Sequence, residues 1–344
     1  MVDIFSTFVL NRTVEYLERP ASFLLDTFFG QMQTEESEEI HFDVDQSKPR
    51  IAPFVSPLVA GRVVDQEGFS TQSFKPAYVK DKRRFDANTP IKRLIGEKIG
   101  GSLPASRRME AAVNRSLRNQ LENLTRREEV MATEALLSGR VTVSGEDYPT
   151  QVVDFKRDAA LTVALTGTAK WDDVTAPALD QLEDWAGLIQ EKSGAVARTV
   201  IMDPKAWRLF RNNNQVKGQL EIRRGTNASI STDPMVRGQG SEKARYVGSI
   251  GDFDFYVYND VYIADNGTLT NLLPDNTVLL VSRNQLEGTR CYGMIMDEKA
   301  GFKAQRYFSK SWLEEDPAVR WLLMQSAPLV VPYRPNASLA ATVA

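Results

Sequence analysis

Few residues in the sequence are equipped for chemistry. A single histidine, His41, stands inside an acidic run, and a single cysteine, Cys291, stands between Arg290 and Tyr292 in a stretch that reads as a strand. A Ser-His-Asp or Cys-His site must be built on His41, so the pattern argues against nucleophilic catalysis. A zinc-binding helix needs two histidines, and the phosphate loop G-x-x-x-x-G-K-[ST] is absent. The nearest glycine-rich stretch, Gly238-Gln239-Gly240, lacks a third glycine and follows no convincing strand. The carboxylate pairs Glu128-Glu129, Asp172-Asp173 and Glu314-Glu315 are adjacent in sequence, which sends their side chains to different sides of a helix or strand. They are read as solvated surface, and Cys291 as a buried, inert thiol. No catalytic residue, cofactor site or metal ligand is expected, and the chain is not expected to be an enzyme.

Composition bounds the alternatives. With 344 residues, 42% apolar and 25% charged, the chain is large enough to bury a real core and close to the average for globular proteins. A formal net charge of -3 argues against a protein whose main task is gripping nucleic acid, because phosphate binding needs clustered Lys and Arg. One cysteine excludes an intrachain disulfide and any metal site with two thiolates. No apolar run approaches the roughly 18 to 20 residues of a membrane-spanning helix. The opening MVDIFSTFVLNRTVEYLERP has no basic start before an apolar stretch and no small-residue cleavage site. A cytoplasmic product is therefore expected.

The first 30 residues are rich in large apolar side chains, ending in Phe23, Leu24, Leu25, Phe28 and Phe29. Pattern alone fits equally a segment made for a partner surface and a short amphipathic helix folded onto the chain's own core. An acidic run, Glu35, Glu36, Glu38, Glu39, Asp43 and Asp45, comes next. Residues 51–88 carry turn residues between β-favouring stretches and few core-forming side chains, which predicts a long projecting hairpin with a basic second half. From 103 to 138, apolar residues recur three or four apart through Met109, Val113, Leu117, Leu121, Leu124, Met131 and Ala135, with Pro104 suited to a helix start and Gly139 to a stop. Such a helix is roughly 50 Å long. Beyond it, helices at 179–192 and from 204 alternate with strands at 199–202, 253–258 and 277–281. Residues 221–240 read as a mobile loop, and strands are expected at 290–296, 306–312 and 321–325.

Six segments in this order resemble the lambda-type phage major capsid proteins, also known as the phage major capsid protein E family, a branch of the Hong Kong 97-type capsid fold. They are VSPLVAG at 55–61, FKPAYVK at 74–80, MDPKAWRLFR at 202–211, RRGTNAS at 223–229, LPDNTVLL at 273–280 and DPAVRWLLMQSAPLV at 316–330. The resemblance implies an α+β chain with an N-terminal arm at 1–35 and the first part of a peripheral domain at 36–50. An extended loop at 51–89 and the rest of the peripheral domain at 90–175, with a spine helix at 103–138, follow. An axial domain at 176–285 precedes return strands and a tail at 286–344. The implied function is that of a shell subunit forming hexamers and pentamers of an icosahedral procapsid, which expands around double-stranded DNA held without sequence-specific contacts.

Implied partners are further copies of the chain, a separate scaffolding protein, a portal protein and a decoration protein, with assembly in the host cytoplasm and no membrane. The contact residues expected between subunits are Phe23, Phe28, Phe29, Glu35, Glu36, Val63, Phe69, Phe74, Lys75, Lys80, Lys82, Arg83 and Arg84. The acidic run is expected to meet the basic residues of a neighbouring subunit. The nearest rival within the fold is an encapsulin-like compartment that loads protein cargo.

Overall fold

The computed structural model describes residues 4–45, 69–86, 88–89, 91, 93, 97, 103–145, 148–217, 244–316 and 319–344. Helix α1 (Thr7–Tyr16) begins at Ser6, whose hydroxyl accepts a hydrogen bond from the Val9 N–H, a standard way to satisfy a free amide at a helix start. A short helix α2 (Phe23–Phe28) and strands β1 (Gln31–Thr34), β2 (Ile40–Asp45), β3 (Phe69–Phe74) and β4 (Val79–Asp86) follow. After helix α3 (Ala105–Ser138) come strands β5 (Arg140–Gly145), β6 (Tyr148–Asp154) and β7 (Thr162–Ala164), helix α4 (Ala178–Ser193), strand β8 (Thr199–Met202) and helix α5 (Pro204–Asn212). The remaining strands are β9 (Ala244–Ile250), β10 (Phe253–Tyr258), β11 (Val261–Ile263), β12 (Leu269–Asn271), β13 (Thr277–Val281) and β14 (Gly288–Tyr292). They are completed by β15 (Phe308–Glu314), β16 (Val319–Ser326), β17 (Pro328–Pro332) and β18 (Ser338–Thr342).

Helix α3 spans 34 residues, about 50 Å at 1.5 Å per residue. It ends because Gly139 takes a left-handed conformation, φ 67°, that a side chain rarely adopts, and a Cβ there would collide with Arg157. The Arg157 guanidinium donates to the Leu136 and Leu137 carbonyls, two acceptors that the last turn leaves without helical partners. The apolar stripe of α3 serves two cores in succession. Its first half, Val113, Leu117, Leu121 and Leu124, packs with Leu10 and Val14 of α1 and with Phe85, Leu322 and Met324 of the antiparallel sheet β15-β16-β4. Its second half, from Met131 to Leu136, joins the larger core.

That larger core is organised by a six-stranded sheet of order β7-β18-β13-β8-β10-β9. Strands β8 and β10 run parallel, with β13 antiparallel to β8 and every residue of β13 buried. Helices α4 and α5 share an aromatic seam on this sheet, in which Trp171 stacks on Trp185 and lies against Phe210, which meets Phe255 of β10. Helix α5 starts at Asp203, whose carboxylate accepts from the Lys205 and Ala206 amides and also from Thr277 of β13, tying helix to strand. A third sheet, β1-β14-β17, sets β1 parallel to β14 across most of the chain length.

Most expected elements stand where pattern placed them. Helix 103–138 is observed as Ala105–Ser138, and strands 199–202, 253–258 and 277–281 keep their bounds. Three boundaries change. The hairpin partner of β3 is β2, so the hairpin opens at Ile40 and not at residue 51, while residues 46–68, which hold most of the expected extended loop, lie outside the described residues. Strand β4, assigned to that loop, pairs along its whole length with β16 in the chain's own sheet. Strand β18, in the segment expected to hold the return strands and the tail, sits between β7 and β13 in the six-stranded sheet. The loop at 221–240 also lies outside the described residues.

Candidate assembly interface

The arm is anchored inward. Phe23, Phe28 and Phe29 are 4%, 3% and 0% exposed, buried in the chain's own core together with Leu24 and Leu25. Phe23 lies 5.5 Å, ring to ring, from both Tyr256 and Tyr258 of β10. The end of α2 presses so closely on β14 that a Cβ on Gly288 would stand 2.2 Å from the Phe28 carbonyl oxygen. The expectation that these three phenylalanines cover a neighbouring subunit is therefore corrected. Five large apolar side chains within seven residues saturate a groove of the same chain, which leaves them no free surface.

What the arm presents outward is a stripe that pattern reading passed over. Phe8, Arg12 and Tyr16 fall four apart on the exposed face of α1, with the Arg12 guanidinium 6.0 Å from the Phe8 ring and 5.8 Å from the Tyr16 ring. The i, i+4, i+8 spacing was the available signal.

Glu128 and Glu129 overturn the surface reading given to them. Both are buried in the second half of α3, between the residues that serve its two cores. Glu129 accepts from the Leu24 and Leu25 amides at the start of α2, at 2.9 and 2.8 Å, and from the Tyr258 hydroxyl at 2.8 Å. Glu128 accepts from the Tyr292 and Tyr307 hydroxyls at 3.2 and 3.0 Å, with the Arg306 guanidinium 3.9 Å away. Burial pushes both carboxyl groups above the usual range, opposed at Glu128 by Arg306, Arg19, Tyr307 and Arg290. The same burial, with Glu128 beside it, pushes the Tyr307 hydroxyl up to about 12. Glu129 thus ties the start of α2 to β10, and the adjacent Glu128 ties α3 to Tyr292 of β14 and to Tyr307.

A carboxyl whose folded pKa lies above its unfolded value takes up a proton on folding, so its contribution to stability falls as pH rises from the unfolded value of 4.5 through the folded pKa. Urea midpoints measured from pH 4.5 to 7 are expected to decline less steeply for Glu128→Gln than for the wild type. Parallel curves would show that Glu128 does not titrate in this interval.

The charged expectations divide. Glu38 pairs with Lys75 across the β2-β3 hairpin, and Glu35 accepts from the His41 amide, so part of the acidic run is matched within its own chain. Arg83 pairs with Asp81 and Arg84 with Asp86, one alternate residue away on β4. Lys75, Arg83 and Arg84 thus each have a carboxylate partner within their own chain. Lys80 and Lys82 are exposed and have no carboxylate partner among the described residues. Lys82 lies instead 3.9 Å from the Trp321 ring centroid and 5.3 Å from that of Trp312. Glu36 is exposed, Phe74 packs on the larger core, and Phe69 is placed in β3 without a described side chain. Val63 lies outside the described residues. Cys291 is fully buried, and burial pushes its thiol up to about 12, consistent with an inert group.

Comparison with known proteins bears on this arrangement. The family model for phage major capsid protein E matches residues 6–343. The chain is 30% identical to the major capsid protein of Escherichia phage lambda over 311 residues, covering 89% of each, and 31% identical to that of Escherichia phage N15 over the same shares. The fold is similar to the crystal structure of a putative capsid protein of an E. coli CFT073 prophage, with a TM-score of 0.71 at 22% identity, covering 97% of this chain and 96% of the other.

Proposed function

The chain belongs to the phage major capsid protein E family, and on that premise we propose that it is the principal shell subunit of a tailed phage head. In this reading it assembles with copies of itself into hexamers and pentamers of an icosahedral procapsid, which expands around double-stranded DNA. A separate scaffolding protein, a portal and a decoration protein are its partners in the host cytoplasm. The observation that carries the reading is the match along residues 6–343, supported by surface chemistry. Large side chains are left exposed on α1 and on the β11-β12 hairpin, and on β4 two exposed lysines without a carboxylate partner among the described residues, while the buried interior offers polar groups that act as ties rather than reagents. The encapsulin-like reading gains no comparable support, since the family model and the curated relatives are phage capsid proteins.

Expression of the full chain with a scaffolding protein from the same phage should yield closed shells visible by cryo-electron microscopy, and a purely monomeric product with that scaffold would overturn the proposal. Exposed acidic residues such as Glu36 are proposed to meet Lys80 and Lys82 of a neighbouring copy. The Lys80→Glu, Lys82→Glu double variant is then expected to assemble several-fold less at low salt, with the deficit narrowing as salt screens the contact and with monomer melting little changed. Equal yields at every ionic strength would sink that contact.

A further inference from the structure

Strands β8 and β10 run parallel, so the six-stranded sheet has two distinct ends. Beyond the finishing end of β10 stands the β11-β12 hairpin. Its register pairs Ile263 with Leu269, and both side chains are 70% exposed, with Val261 beside them on the same face. The alternate residue, Tyr262, points the other way and packs on the core. Arg127 of α3 holds Asp265 at the hairpin tip at 2.6 Å, so the apolar face is carried on a braced support.

At the starting end of the same strands lies a groove of about 570 Å³ between α4 and the turn from β9 to β10. Leu179, Ala197 and Phe253 line it, and Val196, half exposed, stands at its mouth. Gly187 of α4 opens into it. A glycine inside a helix is less favourable than alanine, and no described residue stands within 4 Å of a Cβ built on Gly187, so the surface of α4 is open at this position. That opening leaves room for a body that approaches α4 from outside.

We propose that the β11-β12 hairpin of one copy docks in the α4 groove of a second copy, so that the chains close head to tail into a ring. The proposal deepens the shell-subunit reading and rests on it. Hairpin and groove are separated by the length of β10, roughly 17 Å, so one chain cannot satisfy its own groove. The exposed apolar face amounts to a few hundred Å², well short of the roughly 1,200 Å² that a stable pair of proteins buries. A contact of that size suits a subunit that shares several small interfaces with several neighbours. Because the two surfaces differ and sit at opposite ends, the contact is heterologous, the kind that makes rings and not isolated dimers.

The test uses the full chain with its scaffold. In assembled shells of a Val196→Cys, Leu269→Cys double variant, mild oxidation should produce a ladder on a non-reducing gel that stops at five and six chains. A disulfide needs Cα atoms within about 7 Å, which excludes a bond within one chain, and the native Cys291 is buried and silent. Separately, Gly187→Trp should melt no lower than the wild type yet assemble at least ten-fold less. Assembled shells that give no cross-link, a product that stops at dimers, or normal assembly of Gly187→Trp would each overturn the proposal. Absence of shells from the wild-type chain would instead overturn the shell-subunit reading on which it rests.

Discussion

Deletion of residues 1–30 is expected to abolish the native subunit, not to release a folded one that cannot assemble. The segment supplies Phe23, Leu24, Leu25, Phe28 and Phe29 to the core, none more than 4% exposed. Full burial of such side chains stabilises by roughly 1.5–3 kcal/mol each, so the five together contribute on the order of 10 kcal/mol. That is comparable with the whole stability of an ordinary domain, about 5–15 kcal/mol. Near-ultraviolet circular dichroism and a thermal scan of the truncated chain should show no cooperative transition. A soluble product with the wild-type spectrum and melting temperature would mean that the arm is dispensable to the fold.

Glu129→Ala is the single substitution with the largest expected cost. It leaves the Leu24 and Leu25 amides and the Tyr258 hydroxyl buried without an acceptor. Each orphaned group costs about 1–3 kcal/mol, partly offset because a buried charge is also removed, for a net loss of about 3 kcal/mol or more. Tyr258→Phe on the same background removes one orphan, so the double variant should lose less than the sum of the single changes. Urea denaturation of the four proteins measures this coupling. A loss below about 1 kcal/mol for Glu129→Ala, or strict additivity, would show that the carboxylate does not tie arm to sheet.

Much of the fold was legible because its signals are local. The stripe from Val113 to Leu136 specifies a helix whatever it packs against, and the run Thr277–Val281 reads as a buried strand from five consecutive residues. The bounds of β8 and β10 followed from equally local alternation. Placement was harder, because it depends on partners far away in sequence. Nothing near Gln31 announces pairing with Thr289, and nothing near Val79 announces pairing with Ser326.

The contact residues suffered for the same reason. A cluster such as Phe23 to Phe29 reads equally as core or as interface until its groove is known. Adjacent glutamates on a charged helix look solvated unless one knows that they lie between the residues that serve its two cores. The lysines on β4 were visible as a basic run, but only the β-strand geometry separates Arg83 and Arg84, which have aspartates two residues away, from Lys80 and Lys82, which have none among the described residues.

The parallel pairing of β1 with β14 also governs how the subunit is made. Gln31 and Thr289 are 258 residues apart, so β1 lacks its strand partner until most of the polypeptide has left the ribosome. At about 5–20 residues per second, that delay is roughly 13–50 s. For most of it the segment Phe23 to Phe29 also lacks Tyr256 and Tyr258, and to its end Gly288, the residues against which it closes. The nascent chain therefore trails a sticky, unpaired beginning for most of its synthesis. Its yield in a cell should depend on chaperones that shield that segment and on the rate of translation as much as on the stability of the finished subunit.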